Sequence, residues 1–189
     1  MKTRKDLVQE VITAINAQDY LEIGMATGYT FNHVQVPRKV SVDTIRDTHA
    51  THIMTSDEFF RKNVEMFDVI FIDGYHEASQ VMRDINNSLQ FLRPNGVIIL
   101  HDTLPLSLIS IDRSLCWSAW EAVATLRMTN PNVFVASVIL SDDPVGCGIV
   151  RHGKQELFPT TPLTYDNYVQ NRDKWMNVID PDEYIKTLS

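Results

Sequence analysis

The chain has 189 residues, 44% of them hydrophobic and 22% charged, with a formal net charge of −7. That is enough chain for one domain with a full core, and the acid excess leaves no large basic face for nucleic acid or an anionic membrane. No apolar run is long enough to span a membrane, and MKTRKDLVQEVITAI at the N-terminus lacks the long apolar core of a signal peptide. Cys116 and Cys147 fall in no metal or redox spacing, so a cytoplasmic protein is the expectation.

Leu7, Val8, Val11, Ile12 and Ile15 recur at helical spacing and predict an amphipathic first helix whose apolar stripe packs on a sheet. Asn16–Asp19 turns the chain into a strand, Tyr20–Ile23. A glycine-bearing loop follows, Gly24 to Phe31, entering a short helix that Pro37 ends. Gly24 and Gly28 let the backbone turn sharply and approach a ligand closely, and Glu22 carries a carboxylate at the strand end. Such turns serve a purely structural role just as readily. Lys39–Val42 is the next strand, closing on Asp43, nineteen positions after Gly24. An acid at about that interval can accept hydrogen bonds from the two ribose hydroxyls of a nucleoside ligand; the competing reading is a cap for Thr44-Ile45-Arg46. Thr51–Thr55 forms a short strand, and Ser56 is the expected helix N-cap, with Asp57 and Glu58 in the first turn. That helix start should lie along the same sheet edge and line an adenine pocket.

The stretch Phe67–Pro105 carries the strongest pattern. Val69–Ile72 and Val97–Leu100 are short, continuous apolar runs, as in strands buried on both faces of a parallel sheet. Between them Ala78, Val81, Met82, Ile85, Leu89 and Leu92 mark a helix, leaving Arg83, Asp84, Asn87 and Gln90 to solvent, with Pro94-Asn95-Gly96 as the turn that stops it. The first run ends at Asp73-Gly74 with His76 close behind, the second at His101-Asp102. Ligands of open parallel sheets bind just beyond the carboxyl ends of the strands. Any one of these residues alone would serve as a cap or turn, but two strands each delivering an acid and a histidine to one edge suit a divalent metal or proton transfer.

Further on, Leu104–Ile109 is apolar enough for a lid or one wall of a substrate pocket. Ser114–Met128 reads as a helix, with Trp117 and Trp120 as core residues. Val133–Val138 and Gly146–Val150 predict a closing antiparallel pair around the Asp142-Asp143-Pro144 turn. The tail has helical patches around Tyr165, Tyr168 and Val169, then Trp175, Met176 and Ile179, and Asp180-Pro181 makes a helix start.

YLEIGMATGY, KVSVDT, TSDEFF, FDVIFIDGYH and LRPNGVIILHDT, in this order, followed by CWSAWEAVATLR and DDPVGCGIVR, resemble the class I S-adenosylmethionine-dependent methyltransferases. Within them the match is to the small-molecule branch with Asp-Gly-x-His and His-Asp at the ends of its fourth and fifth strands. The resemblance implies an α/β, Rossmann-like, doubly wound sheet of seven mostly parallel strands, the last antiparallel. It implies one domain: an N-terminal helix (1–18), a cofactor-binding core (19–152) and a helical tail (153–189). Carried over residue by residue, Glu22, Gly24, Met25, Ala26 and Gly28 hold the methionine part of S-adenosylmethionine, Asp43 the ribose, Ser56 and Asp57 the adenine, and Asp73 closes the cofactor site. Magnesium or manganese is assigned to Asp73, His101 and Asp102, and the catalytic residues to Asp73, His76 and His101. Ala26 departs from a common glycine, and His101 stands where metal-dependent relatives often have a carboxylate. The expected reaction is methyl transfer to a small-molecule acceptor of sugar or natural-product type, at a hydroxyl oxygen, with no nucleic acid or membrane partner and compatible with a homo-oligomer. The alternatives are a nicotinamide-dinucleotide oxidoreductase on a similar fold, disfavoured by the missing third glycine, and a non-catalytic cofactor-binding domain.

Overall fold

A computed structural model describes residues 2–141 and 145–188; the Asp142-Asp143-Pro144 turn lies outside the described residues. The first helix, α1 (Arg4–Ala14), starts from a capping box in which the Thr3 hydroxyl accepts from the Asp6 N–H and the Asp6 carboxylate accepts from the Thr3 N–H at 3.0 Å. Its buried face is Leu7, Val8, Val11 and Ile12, the stripe expected from spacing.

The strands are β1 (Asp19–Ile23), β2 (Arg38–Asp43), β3 (His52–Ile53), β4 (Phe67–Ile72), β5 (Leu92–His101), β6 (Val133–Val138), β7 (Cys147–His152) and β8 (Val178–Ile179). They form one sheet in the order β3-β2-β1-β4-β5-β7-β6-β8. β3, β2, β1, β4 and β5 pair in parallel, whereas β7 runs antiparallel to both β5 and β6. This is the expected doubly wound arrangement with an antiparallel seventh strand. An eighth strand, two residues from the tail, is appended parallel to β6. The chain leaves β1 for one side of the sheet and returns to its other side with β4, so a crevice opens between their ends.

Alternation along each strand divides the core into two layers. Leu21, Ile23, Ile70, Ile72, Ile98 and Leu100 face α2 (Ser56–Lys62), α3 (Ala78–Phe91), α4 (Ala119–Thr129) and α5 (Tyr165–Met176). Tyr20, Val69, Phe71, Val97 and Ile99 face α1 and Tyr184 of α6 (Pro181–Lys186). α6 has the expected Asp180 cap and Pro181 at its start. Among the described residues no helix is long and apolar enough to cross a membrane.

Several local expectations change. No helix forms between β1 and β2; the chain makes turns there, tied by Asn32 N–H to Gly28 O (2.9 Å) and Val34 N–H to Thr30 O (3.2 Å). Thr55, not Ser56, caps α2, because its hydroxyl accepts from the Glu58 N–H while Glu58 answers the Thr55 N–H. The Pro94-Asn95-Gly96 turn is instead part of β5: Leu92 already pairs with Phe67 and Val97 with Val69, so Arg93–Gly96 bulge opposite Asp68 alone. α4 begins at Ala119 rather than Ser114, after Trp117 adopts φ +42° and leaves helical geometry. Asp84, assigned to solvent from its spacing, is 1% exposed.

Candidate active site

The sheet register builds the site. Ile23 pairs with Val42 on one side and Ile72 on the other, and Ile72 pairs with Leu100. The residue after each therefore stands at one level: Gly24, Asp43, Asp73 and His101. Gly24 has φ +84°, and a Cβ there would lie 2.1 Å from the Asp73 carbonyl oxygen. Only glycine lets β1 and β4 end this close together. Ala26 also has positive φ, +45°; its N–H donates to Asp43 Oδ2 at 2.8 Å, while Asp43 Oδ1 accepts from Ile45 N–H at 2.8 Å. Asp43 thus clamps the glycine loop to the end of β2, and each carboxylate oxygen keeps acceptor capacity.

Beyond these ends lies a cavity of about 420 Å³, within the range of small-ligand sites. Of the residues expected to hold the cofactor, Gly24, Ala26, Asp43, Ser56, Asp57 and Asp73 line it, joined by Ile45, Met54, Tyr75, Gln80 and Asp84. Glu22, Met25 and Gly28 are not in its wall. Glu22 is buried beneath the loop, where it accepts a hydrogen bond from the Tyr20 hydroxyl. Burial pushes its carboxyl up to about 8, against the hydrogen bond from Tyr20. Burial likewise raises Asp84 to about 6, although Ser56 and Gln80 hydrogen-bond to it. A signal for Asp84 was available: Val81, Asp84, Ile85 and Ser88 are the buried face of α3, and their spacing is itself a helical stripe.

Next to the cavity, Asp73, His76 and Asp102 each turn a ligand-type atom inward, all within 4.8 Å of one another. His76 Nε2 is 3.5 Å from Asp73 Oδ1, and Nδ1 is 3.6 Å from Asp102 Oδ2. His76 Nδ1 also hydrogen-bonds the Leu115 carbonyl. A carbonyl only accepts, so Nδ1 carries the proton and Nε2 is left buried with no hydrogen-bond partner among the described residues. Burial lowers the His76 pKa, but Asp73, the Leu115 carbonyl and the Asp102 charge outweigh it and raise the value. Burial works to raise Asp73; the hydrogen bond from His101, the nearby His76 ring and the charge of Arg4 hold its carboxyl well below the usual range.

His101, expected as ligand or base, stands between two carboxylates and a guanidinium. Its Nδ1 is 3.0 Å from both Asp73 Oδ1 and Asp102 Oδ1, and its Nε2 is 3.0 Å from Arg4 Nη1. Both of its ring nitrogens face charged side chains, whereas His76 Nε2 faces the Asp73 carboxylate alone. Arg4 was missed in the sequence, where a lone arginine on a first helical turn looks like a solvated charge. At the mouth, Tyr75 meets Trp117 edge-on at 5.3 Å, and Arg113 lies 4.5 Å over Trp117 while donating to the Tyr75 hydroxyl at 2.8 Å. Trp120 is core, but Trp117 is not. In the apolar segment before them Leu104 is buried, whereas Leu108 and Ile109 are exposed.

A model of a methyltransferase-domain family matches residues 28–103, the span from the glycine loop to the end of β5. No curated protein matches the chain. Among solved structures, the O-methyltransferase from Bacillus cereus in complex with S-adenosylhomocysteine superposes with a TM-score of 0.57 at 18% identity, covering 81% of this chain and 82% of that one. The S-adenosylhomocysteine-bound methyltransferase PaMTH1 from Podospora anserina gives 0.58 at 16%, over 82% and 80%. The O-methyltransferase TomG from Streptomyces achromogenes, in complex with S-adenosylmethionine, gives 0.56 at 15%, over 80% and 81%. At these identities the likeness is one of fold. The matched segment is that of a methyltransferase domain, and the fold is one shared with these S-adenosylmethionine- and S-adenosylhomocysteine-bound methyltransferases.

Proposed function

We propose that this protein transfers the methyl group of S-adenosylmethionine to a hydroxyl oxygen of a small-molecule acceptor, of sugar or natural-product type, in the cytosol. The observation that carries the reading is the double place of Asp73. It lines the cavity and belongs to the Asp73, His76, Asp102 group, so a cofactor in the cavity ends where acid–base residues begin. In the reaction the acceptor oxygen forms a bond to the methyl carbon. The carbon–sulfur bond breaks with its electrons going to sulfur, and the hydroxyl proton is lost. The chain's work is to align the two centres and remove that proton. That structural relatives are O-methyltransferases with S-adenosylmethionine or S-adenosylhomocysteine bound supports the cofactor and the acceptor atom.

The same residues fit a divalent cation. Asp73 and Asp102 offer carboxylates, and the buried Nε2 of His76 points at them with its other nitrogen tied to a carbonyl, the usual orientation of a ligating histidine. A cation held by Asp73, His76 and Asp102 would supply Lewis-acid acidification of the acceptor hydroxyl. A nitrogen in the set favours manganese over magnesium. A second reading needs no metal: the raised basicity of His76 makes Nε2 the proton acceptor, with Asp73 steadying the imidazolium.

A nicotinamide dinucleotide is disfavoured further, since the glycine loop enters turns and offers no helix N-terminus for a pyrophosphate. Titration calorimetry with S-adenosylhomocysteine and with NAD tests the reading. Heat from the first alone is expected; heat from NAD alone would sink the assignment. Label transfer from methyl-labelled cofactor to any acceptor would exclude a non-catalytic binding domain.

A further inference from the structure

The N-terminal helix reaches the reactive edge through a single side chain. Arg4, the first residue of α1, places Nη1 3.0 Å from His101 Nε2 and Nη2 4.0 Å from Asp73 Oδ2. Its guanidinium lies over the Tyr29 ring, 4.9 Å from the centroid, and Tyr29 directly follows Gly28 of the cofactor loop. One group therefore touches α1's neighbour loop and the ends of β4 and β5 together.

We propose that Arg4 is a positioning residue for methyl transfer, which fixes His101 as the Nδ1–H tautomer and so holds Asp73 and Asp102 side by side. Guanidinium has no acceptor, so His101 Nε2 must accept. A neutral imidazole then has its one proton on Nδ1, the nitrogen 3.0 Å from an oxygen of each carboxylate. Two carboxylates facing one cluster repel each other; a shared N–H, backed by a cation, offsets that repulsion. With Arg4 gone the ring is free to take the other tautomer, turning an Nδ1 lone pair towards two anions and spreading them. The simpler account of Arg4, an anchor for α1, predicts lost stability and nothing more.

The proposal rests on the methyltransferase reading for its kinetic arm, so the test has two arms. The first is ¹⁵N NMR of histidine-labelled protein, wild type and Arg4→Met, reading which ring nitrogen of His101 is protonated. The second is steady-state transfer with S-adenosylhomocysteine affinity measured alongside. Arg4→Met is expected to lose the Nδ1–H signature and to lower kcat roughly 10–100-fold, the usual effect of removing a group that orients a ligand-type residue. The cofactor KM and S-adenosylhomocysteine affinity should stay within about twofold, well short of that kcat loss, and Arg4→Lys, which keeps a cationic donor, should recover part of kcat. A retained Nδ1–H signature, or an unchanged kcat, overturns the proposal. If Arg4→Met does not fold, Arg4→Ala gives the same two readings, and a wild-type His101 ring protonated on Nε2 overturns the proposal outright. If wild-type protein binds no S-adenosylhomocysteine, the methyltransferase reading fails, and the His101 signature alone decides whether Arg4 sets the tautomer.

Discussion

Asp43 and Asp73 each stand one step past a strand end, yet their surroundings assign them different tasks. Asp43 spends one bond per oxygen on the backbone of Ala26 and Ile45, and turns its remaining acceptor capacity to the cavity. Asp43→Ala should weaken S-adenosylhomocysteine binding, since hydrogen bonds to a charged group are worth roughly 1.5–3 kcal/mol each. Calorimetry reads this directly, and an unchanged dissociation constant would remove Asp43 from the site. Asp102 is the cleaner probe of the reactive edge, because Asp73 also lines the cavity and Asp102 does not. Asp102→Asn is expected to suppress transfer with cofactor affinity retained. Chelation by EDTA should suppress wild-type transfer, and added manganese should restore it. Full activity in chelated enzyme would leave His76 Nε2 as the base.

At the scale of elements, the cavity is made by how strands and helices end. Gly24→Val should abolish cofactor binding, though for a reason different from contact with the ligand. Its Cβ would meet the Asp73 carbonyl oxygen and Gly74 Cα, so the branched residue would push β1 and β4 apart. A folded variant with wild-type affinity would make the glycine dispensable. The start of α2 gives a sharper comparison. Thr55, Ser56 and Asp57 all line the cavity, but only Thr55 holds the capping box. Thr55→Ala should cost about 1 kcal/mol of stability through the lost cap, and the loss in Ser56→Ala, which removes side-chain bonds to Gln80 and Asp84 but no cap, should be smaller. Equal losses would put the cap back on Ser56.

For the whole molecule, the buried Glu22 makes stability depend on pH. Its carboxyl is pushed up to about 8 from an ordinary 4.5, mainly by burial. Between those values the folded chain binds a proton that the unfolded chain releases, so this group's contribution falls as pH rises through the window and levels off above it. Glu22→Gln should remove that slope: variant and wild type melt alike near pH 5, and the variant melts higher by pH 8. A constant gap across that range would show that Glu22 does not carry the effect. Asp73 acts in the opposite sense. With its carboxyl held low, its stabilisation is present above the ordinary 3.8 and is lost as pH falls below that value.

The local signals in the sequence were enough to determine the alternation of strands and helices, the apolar stripe of α1, and the acids and histidines at the ends of β4 and β5. Apolar runs and turn residues act over a few positions and can be read there. The glycine loop, Asp43 and Asp73 follow from strand ends, and Asp57 from a helix start, for the same reason. Choices between chemically equal neighbours were not legible. Thr55 and Ser56 are both good caps, and only the bond to Glu58 N–H separates them. His76 and His101 are both histidines near an acid, and the tertiary structure gives each ring its own partners. It brings Leu115 to one ring, and Arg4, 97 positions away in the chain, to the other. Hydrogen-bond partners so distant in sequence leave no periodic trace in it, because they meet only when α1 packs across the sheet.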